Sequence, residues 1–410
     1  MVKKGKCLAD YSSIVGEDVI SEIMKLAQKV AGKSIKYITT PSIHREVQST
    51  LNCLIPLLNE LGIVTSMEIV PYEDEFLDVD KVLNKSLHGE EVEVKDSDLR
   101  MFSEYTKKIA NTMNFQQDII IIHDILPIGL VQERNKTFNN WIWCCHIDLS
   151  NASNKSWEFI KGFVARYDSA IFSTPCFAPK ELTIPQFIIP LAIDPLDDRN
   201  KNLSNAKIKQ ILEKYGIDLE MPIITQIAHF DLTKDPSWAI KIYQLVKRHI
   251  DCQLILAVEE TEDVKETKEL FSSVRETASA DSDIHIIFVK DDVEINAIQW
   301  ASSIILQNSI KERFGLEVTE ALWKEKPVVA HAFGRVPLQI YHEVTGILVS
   351  SIEGASYYIR YLLTHPDIAT RLGYYGHMHI KNNFLLTKYL QDYLLMSISL
   401  WYPGENIIYI

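Results

Sequence analysis

The chain has 410 residues, 47% of them hydrophobic and 24% charged, and a formal net charge of −13. That size and apolar content suit two or three packed domains, and the acidic balance argues against a protein that holds nucleic acid by neutralising phosphates. No stretch reaches the roughly 18 uninterrupted apolar residues of a membrane span, the basic start MVKKGKCLADY has no apolar run behind it, and the six cysteines form no Cys-x-x-Cys pair. The expectation is therefore a cytoplasmic protein with no signal peptide, membrane span, zinc knuckle or thioredoxin-type site.

Ile35–Thr40 reads as a short buried strand, and Pro41–Arg45 as a turn. Glu46–Leu61 then carries Val47, Leu51, Leu54, Leu57 and Leu58 at helical spacing, with Gly62 as its C-terminal cap. Val64–Val70 is the next strand, and Phe76–Leu87 and Leu99–Met113 are helices. The nearly all-apolar Asp118–His123 suits a parallel sheet covered on both faces. Strands follow at Trp141–His146, Ser169–Ser173 and Gln186–Pro190, with a helix at Trp157–Arg166. This alternation predicts a doubly wound α/β domain over residues 1–205.

Pro190–Ser204, rich in Pro, Asp and Asn, reads as a linker, and Ala206–Tyr215 as a short helix stopped at Gly216. A second α/β series fills residues 206–384. Its strands are expected at Ile223–Ala228, Gln253–Val258, Ile284–Val289, Ser303–Leu306, Pro327–His331 and Gly346–Val349. Its helices are expected at Trp238–His249, Glu262–Ala278, Glu294–Ala301, Gly354–Thr364 and Pro366–Asn383, and one begins near Leu316. Tyr389–Trp401, within residues 385–410, is apolar but broken by Gln391 and Asp392; it reads as a packed final helix, with contact to a membrane as the alternative.

Polar residues fall just past several strands, where α/β proteins build their sites. They are His123 and Asp124, then His146 and Asp148, then His229 with Asp231 and Lys234, and finally Glu312. Each alone also fits an ordinary structural residue. Lys234 precedes a helix starting near Pro236 and could bind phosphate. His146 and Asp148 could bond sugar hydroxyls, with Trp141 or Trp143 offering an apolar face or lying in the core. Seven residues separate Glu312 and Glu320, the first on the loop feeding a helix and the second about one turn inside it. A helix start with a carboxylate on either side suits a phosphate and polyols together, as in a sugar nucleotide. No Ser-His-Asp, HExxH, Walker A or GxGxxG pattern is present.

The segment ERFGLEVTEA, residues 312–321, resembles the E-x7-E signature of retaining glycosyltransferases of family 4. WIWCCHIDLS, HFDLTKDP, LQNSIKERFGLEVTEALWKEKPVVA and VPLQIYHEVTGILV are similar, in order and spacing, to segments of the trehalose-forming glycosyltransferases and trehalose phosphorylases. The resemblance implies two facing Rossmann-like domains, the GT-B fold, with a C-terminal helix crossing back to the first domain. It implies an acceptor site carrying His123, Asp124, His146 and Asp148, and a donor site carrying His229, Lys234, Arg313, Phe314, Gly315, Leu316, Thr319 and Glu320. Glu312 would contact hydroxyls of the transferred glucose, Glu320 the ribose, Lys234 the phosphate, and His146 the sugar beside its primary hydroxyl. The substrates would be NDP-glucose and a small sugar, with no cofactor and no metal, and the protein would be a homodimer or would join a paralogue with the complete motif.

The chain departs from the family pattern at the phosphate side. Pro41–Arg45 contains no glycine, His229 stands for an Arg, Cys144 for another, Arg313 for a small residue, and Phe333-Gly334-Arg335 for a Gly-Gly pair. Arg45, Arg313 or Arg335 could restore the charge. Two readings stay open: an active trehalose-forming transferase, and a non-catalytic sugar-binding or regulatory subunit.

Overall fold

The computed structural model describes residues 6–41, 43–70, 74–136, 139–229, 236–259, 274–308, 315–334 and 336–402. The chain divides into two compact units, residues 1–192 with 386–410, and residues 193–385. Each unit is a six-stranded, wholly parallel sheet with helices on its faces.

In the first unit the strands are β1 (Ser34–Thr39), β2 (Val64–Ile69), β3 (Ile119–His123), β4 (Asn140–Cys145), β5 (Ser169–Phe172) and β6 (Gln186–Ile188). They lie in the order β2-β1-β3-β4-β5-β6. Every residue of β3 is buried, as its unbroken Ile run requires when helices cover both faces. The order reverses between β1 and β3, so the loops after these strands border the crevice where ligands of doubly wound sheets bind. Gly62 has φ +82 and closes the Arg45–Glu60 helix, the left-handed conformation that a residue with Cβ resists.

The second unit holds β7 (Ile223–His229), β8 (Gln253–Glu259), β9 (Ile284–Val289), β10 (Ile304–Gln307), β11 (Val328–His331) and β12 (Ile347–Val349), ordered β12-β11-β10-β7-β8-β9. Renumbered within the unit this is the Rossmann order, with its reversal between β7 and β10. The helix expected over Glu262–Ala278 falls largely outside the described residues.

Two features depart from the sequence reading. A 14-residue amphipathic helix, Glu17–Val30, precedes β1 and buries Ile20, Ile23, Leu26, Ala27 and Val30. From Ile193 onward the segment read as a linker is built into the second unit: Asp194 and Asn200 are buried, and Asn200 Nδ2 donates to the Asp194 carbonyl at 3.1 Å. Its Asp, Asn and Pro residues make local turns rather than a flexible tether.

The last helix, Leu386–Trp401, belongs to the first unit. It packs on the Glu17–Val30 and Arg45–Glu60 helices. Leu390, Tyr393, Leu394 and Ile398 are buried there. Among the described residues no helix is long and apolar enough to cross a membrane.

Candidate active site

In the first unit the candidate residues sit where β3 and β4 end. His123 lies opposite Cys144 in the parallel register, and His146 follows two residues further along the Cys144 side. Strand geometry therefore sends all three side chains to one face, and Trp141, Trp143 and Cys145 to the other. His123 Nδ1 and His146 Nε2 are 2.9 Å apart, their rings nearly parallel at 14° with centroids 5.2 Å apart. Cys144 Sγ lies 3.4 Å from His146 Nε2. His123 is fully buried, and that burial pushes its imidazole down to about 3, so it is neutral at pH 7.

Asp124 turns the chain out of β3 with φ +65, a conformation Asp tolerates better than most residues. Its amide donates to the Cys144 carbonyl at 2.9 Å, and its own carbonyl accepts Trp143 Nε1 at 2.9 Å. Asp148 is half-buried, and its Oδ1 accepts the Ser150 amide at 2.9 Å, so it closes a local turn. The structure thus puts His123 and His146 in contact, ties the backbone of Asp124 to Cys144 and Trp143, and has Asp148 accept from the Ser150 amide. Trp141 and Trp143 are both fully buried on the opposite face, which settles that neither offers a surface to a sugar.

In the second unit β7 and β10 meet at the reversal of strand order. Their C-terminal ends are linked by the buried pair Gln226 and Asn308, Nε2 donating to Oδ1. His229 ends β7, its side chain outside the described residues, as are Lys234, Glu312, Arg313, Phe314 and Arg335. Gly315 precedes the Leu316–Trp323 helix at φ +58, where a Cβ would be strained. Leu316 opens that helix; Thr319 and Glu320 are buried within it. The Thr319 hydroxyl has no hydrogen-bond partner among the described residues.

Glu320 stands in a charged network. Arg199 Nε donates to its Oε1 at 2.5 Å, and Gln299 Nε2 to its Oε2 at 3.4 Å. The Arg199 guanidinium also forks onto Glu259, with Nη1 to Oε1 at 2.5 Å and Nη2 to Oε2 at 3.2 Å, and reaches Asp292 Oδ1 at 3.3 Å. Lys324 Nζ donates to Gln299 Oε1 at 2.7 Å and to Asn200 Oδ1 at 3.3 Å. Burial pushes the Glu320 carboxyl up to about 7 against the pull of Arg199 and Lys324. Burial likewise drives the Lys324 ammonium down to about 7, with Glu320 opposing. Arg199 stays charged: burial works against it, but Glu320 and Glu259 outweigh that and hold its pKa above the ordinary value.

Sequence reasoning missed Arg199, Glu259 and Gln299. Lys324 carried a signal, being four residues after Glu320 on one helix. Arg199 carried none, since 121 residues separate it from Glu320.

Known proteins share this framework. Residues 46–179 match the family described as "Trehalose synthase, N-terminal domain", and residues 207–379 match "Glycosyl transferases group 1". The trehalose synthase of Thermococcus litoralis is 37% identical over 398 residues, covering 95% of this chain and 96% of the relative. That of Rubrobacter xylanophilus is 32% identical over 406 residues, covering 96% and 97%. Among solved structures, sucrose-phosphate synthase from Thermosynechococcus elongatus superposes with a TM-score of 0.67 at 15% identity, covering 90% of this chain and 99% of that one. An E. coli trehalose-6-phosphate protein bound with UDP-2-fluoro glucose superposes with a TM-score of 0.67 at 12% identity, covering 92% and 100%. At those identities the superpositions establish the GT-B fold alone, whereas the full-length identity to the trehalose synthases establishes descent. The chain is a glycosyltransferase and belongs to the trehalose synthase family.

Proposed function

We propose that the protein transfers glucose from a nucleoside-diphosphate-glucose to glucose, forming trehalose with the anomeric configuration retained, as a family 4 enzyme. The observation that carries this reading is the 37% identity to a trehalose synthase across 95% of the chain. In the proposed step the acceptor hydroxyl oxygen bonds to the anomeric carbon on the face that the leaving diphosphate vacates. The bond between that carbon and the phosphate oxygen breaks, and the hydroxyl proton passes to the departing phosphate. Catalysis then rests on positioning and on charge placed against the phosphate. Lys234 and His229, with Arg313, are assigned to the phosphate, and Glu312, Phe314 and His146 to the transferred sugar. Gly315, Leu316, Thr319 and Glu320 are assigned to the nucleotide, and His123, Asp124 and Asp148 to the acceptor. NDP-glucose acts as substrate, and no cofactor takes part. A cytoplasmic homodimer is the assembly we assign.

A second reading, a catalytically impaired paralogue that binds sugar or regulates an active partner, is favoured by one observation. Both oxygens of Glu320 are already engaged, Oε1 by Arg199 and Oε2 by Gln299, so ribose would have to share that carboxylate. A carboxylate has about four acceptor positions, which leaves room for a diol. Calorimetric titration with ADP-glucose and UDP-glucose, on the wild type and on Glu320→Gln, separates the two. Binding by the wild type and its loss in the variant support the transferase, and a coupled assay with glucose as acceptor then follows. A folded wild type that binds neither nucleotide sugar overturns the transferase reading in favour of the subunit.

A further inference from the structure

Cys144, His123 and His146 place three metal-ligating atoms within 4.8 Å of one another, and all three residues are buried. His123 and Cys144 come from two hydrogen-bonded parallel strands, directly opposite one another, and His146 follows the end of the second strand. The backbone of the sheet therefore holds the donors in place before any ion arrives. Tyr37, on the same face of β1 beside His123, closes one side, its ring centroid 6.0 Å away. Tyr393 of the Leu386–Trp401 helix stands 6.4 Å from Tyr37, so that helix covers this face.

The spacings match what an ion requires. With bonds of about 2.05 Å to nitrogen and about 2.3 Å to sulfur, a tetrahedral zinc separates two nitrogens by about 3.4 Å and a nitrogen and a sulfur by about 3.6 Å. Here the His123 and His146 nitrogens are 2.9 Å apart, and Cys144 Sγ is 3.4 Å from His146 Nε2. The first pair would open by about half an ångström, and the third separation, from His123 to Cys144, lies within 4.8 Å. The donor set is two neutral imidazoles and a thiol, which selects zinc-class ions over magnesium or calcium.

We infer that His123, Cys144 and His146 form a binding site for a borderline-soft divalent ion of the zinc class. On binding, the Cys144 S–H bond breaks and its proton passes to solvent, a sulfur–metal bond forms, and both imidazoles coordinate as neutral ligands. The hydrogen bond between the two histidines is given up in exchange. The spacing rules for zinc motifs do not reveal this set, because only Cys144 and His146 are close in sequence and they lie two apart at the end of a strand. A consequence rests on the proposed glycosyl transfer: an ion here would hold the ring of His146, the residue assigned to the transferred sugar, so zinc would inhibit. The binding itself is independent of that reading.

Cobalt(II) titration of chelator-treated full-length protein, followed by zinc competition against a chromophoric chelator, tests the site. The expected result is one cobalt per chain, with a thiolate-to-cobalt charge-transfer band and the intense visible bands of tetrahedral cobalt, both displaced by zinc. Cys144→Ser should abolish the charge-transfer band and weaken zinc at least tenfold, while Cys176→Ser, at an exposed thiol, should leave both unchanged. Wild-type protein that binds no cobalt, or binds it without the charge-transfer band, overturns the site. So does zinc affinity equal in wild type and Cys144→Ser, or lost with Cys176→Ser. Circular dichroism establishes that each variant is folded; if Cys144→Ser is not, Cys144→Ala takes its place, and the wild-type cobalt spectrum decides in either case. No readout is an activity, so failure of glycosyl transfer leaves the result standing.

Discussion

Arg199 joins three acidic residues that come from three separate parts of the second unit: Glu259 at the end of β8, Asp292 at a helix start and Glu320. With its side chain 15% exposed, and Glu259 and Glu320 at 8% and 4%, the pairs are screened little by solvent. Removing the cation strands two buried carboxylates. Arg199→Met should therefore cost the second unit about 3–5 kcal/mol, read by urea unfolding, whereas Arg199→Lys should recover part of that. An equal loss in both variants would show that the guanidinium fork, and not the charge, is what matters. Asp118 offers a smaller case with a defined pH signature. Its carboxylate accepts the Ser34 amide at 2.9 Å, the Ser34 hydroxyl at 2.8 Å and Lys33 Nζ at 3.4 Å. Burial works upward on its pKa but is outweighed by the Ser34 bonds and Lys33, and the net shift is downward. A depressed carboxyl binds fewer protons folded than unfolded, so its contribution is present above the unfolded value near 3.9 and is lost as pH falls through the lowered one. Asp118→Asn should cost about 1 kcal/mol at pH 7, kept low by partial exposure. The gap to wild type should close by pH 2–3 in thermal melts; a gap unchanged with pH would refute the assignment.

Among the elements, the Leu316–Trp323 helix depends on the glycines of its neighbour, Pro366–Asn383. A Cβ on Gly373 would fall on the Glu325 carbonyl, and one on Gly376 would come within 2.7 Å of Leu322 Cδ2 and 2.9 Å of the Thr345 carbonyl. Gly373→Ala should force the two helices apart and destabilise the second unit by about 1–3 kcal/mol. Gly162, inside the Asn154–Val164 helix, has nothing within 4 Å of its would-be Cβ. Gly162→Ala should stabilise by about 0.5–1 kcal/mol, so thermal melts of the two variants should move in opposite directions. Helix positions were largely readable, because period 3.6 survives in the sequence even when packing partners do not. The Glu17–Val30 helix carries the same period in Ile20, Ile23, Leu26, Ala27 and Val30, but it follows a basic, unpatterned start that masks it. The Pro190–Ser204 segment misled for another reason. Turn-forming residues mark irregular backbone equally well in a tether and in a packed loop, and only the partners of Asn200 and Arg199 distinguish the two.

For the molecule as a whole, the return of the C-terminal helix decides which unit the last residues stabilise. Leu390 lies five residues past the end of the second unit but is fully buried in the first. Leu390→Ala should cost about 2–5 kcal/mol, and that loss should appear in hydrogen-exchange protection of β1 and β3, with β7 and β10 unchanged. Loss of protection in the second unit instead would refute the assignment. Segment periodicity, strand-end polar residues and the spacing of Glu312 and Glu320 were local properties, so the two α/β series and the family could be read from the chain. The buried strands announced themselves because covering both faces of a parallel sheet demands uninterrupted apolar runs. What only the tertiary structure decided is which distant residues meet. Parallel register set His123 opposite Cys144, the pleat sent Trp141 and Trp143 to the other face, and packing delivered Arg199 to Glu320. Such contacts depend on chain crossings over 20 to 120 residues, and no local pattern of side chains encodes where a crossing ends.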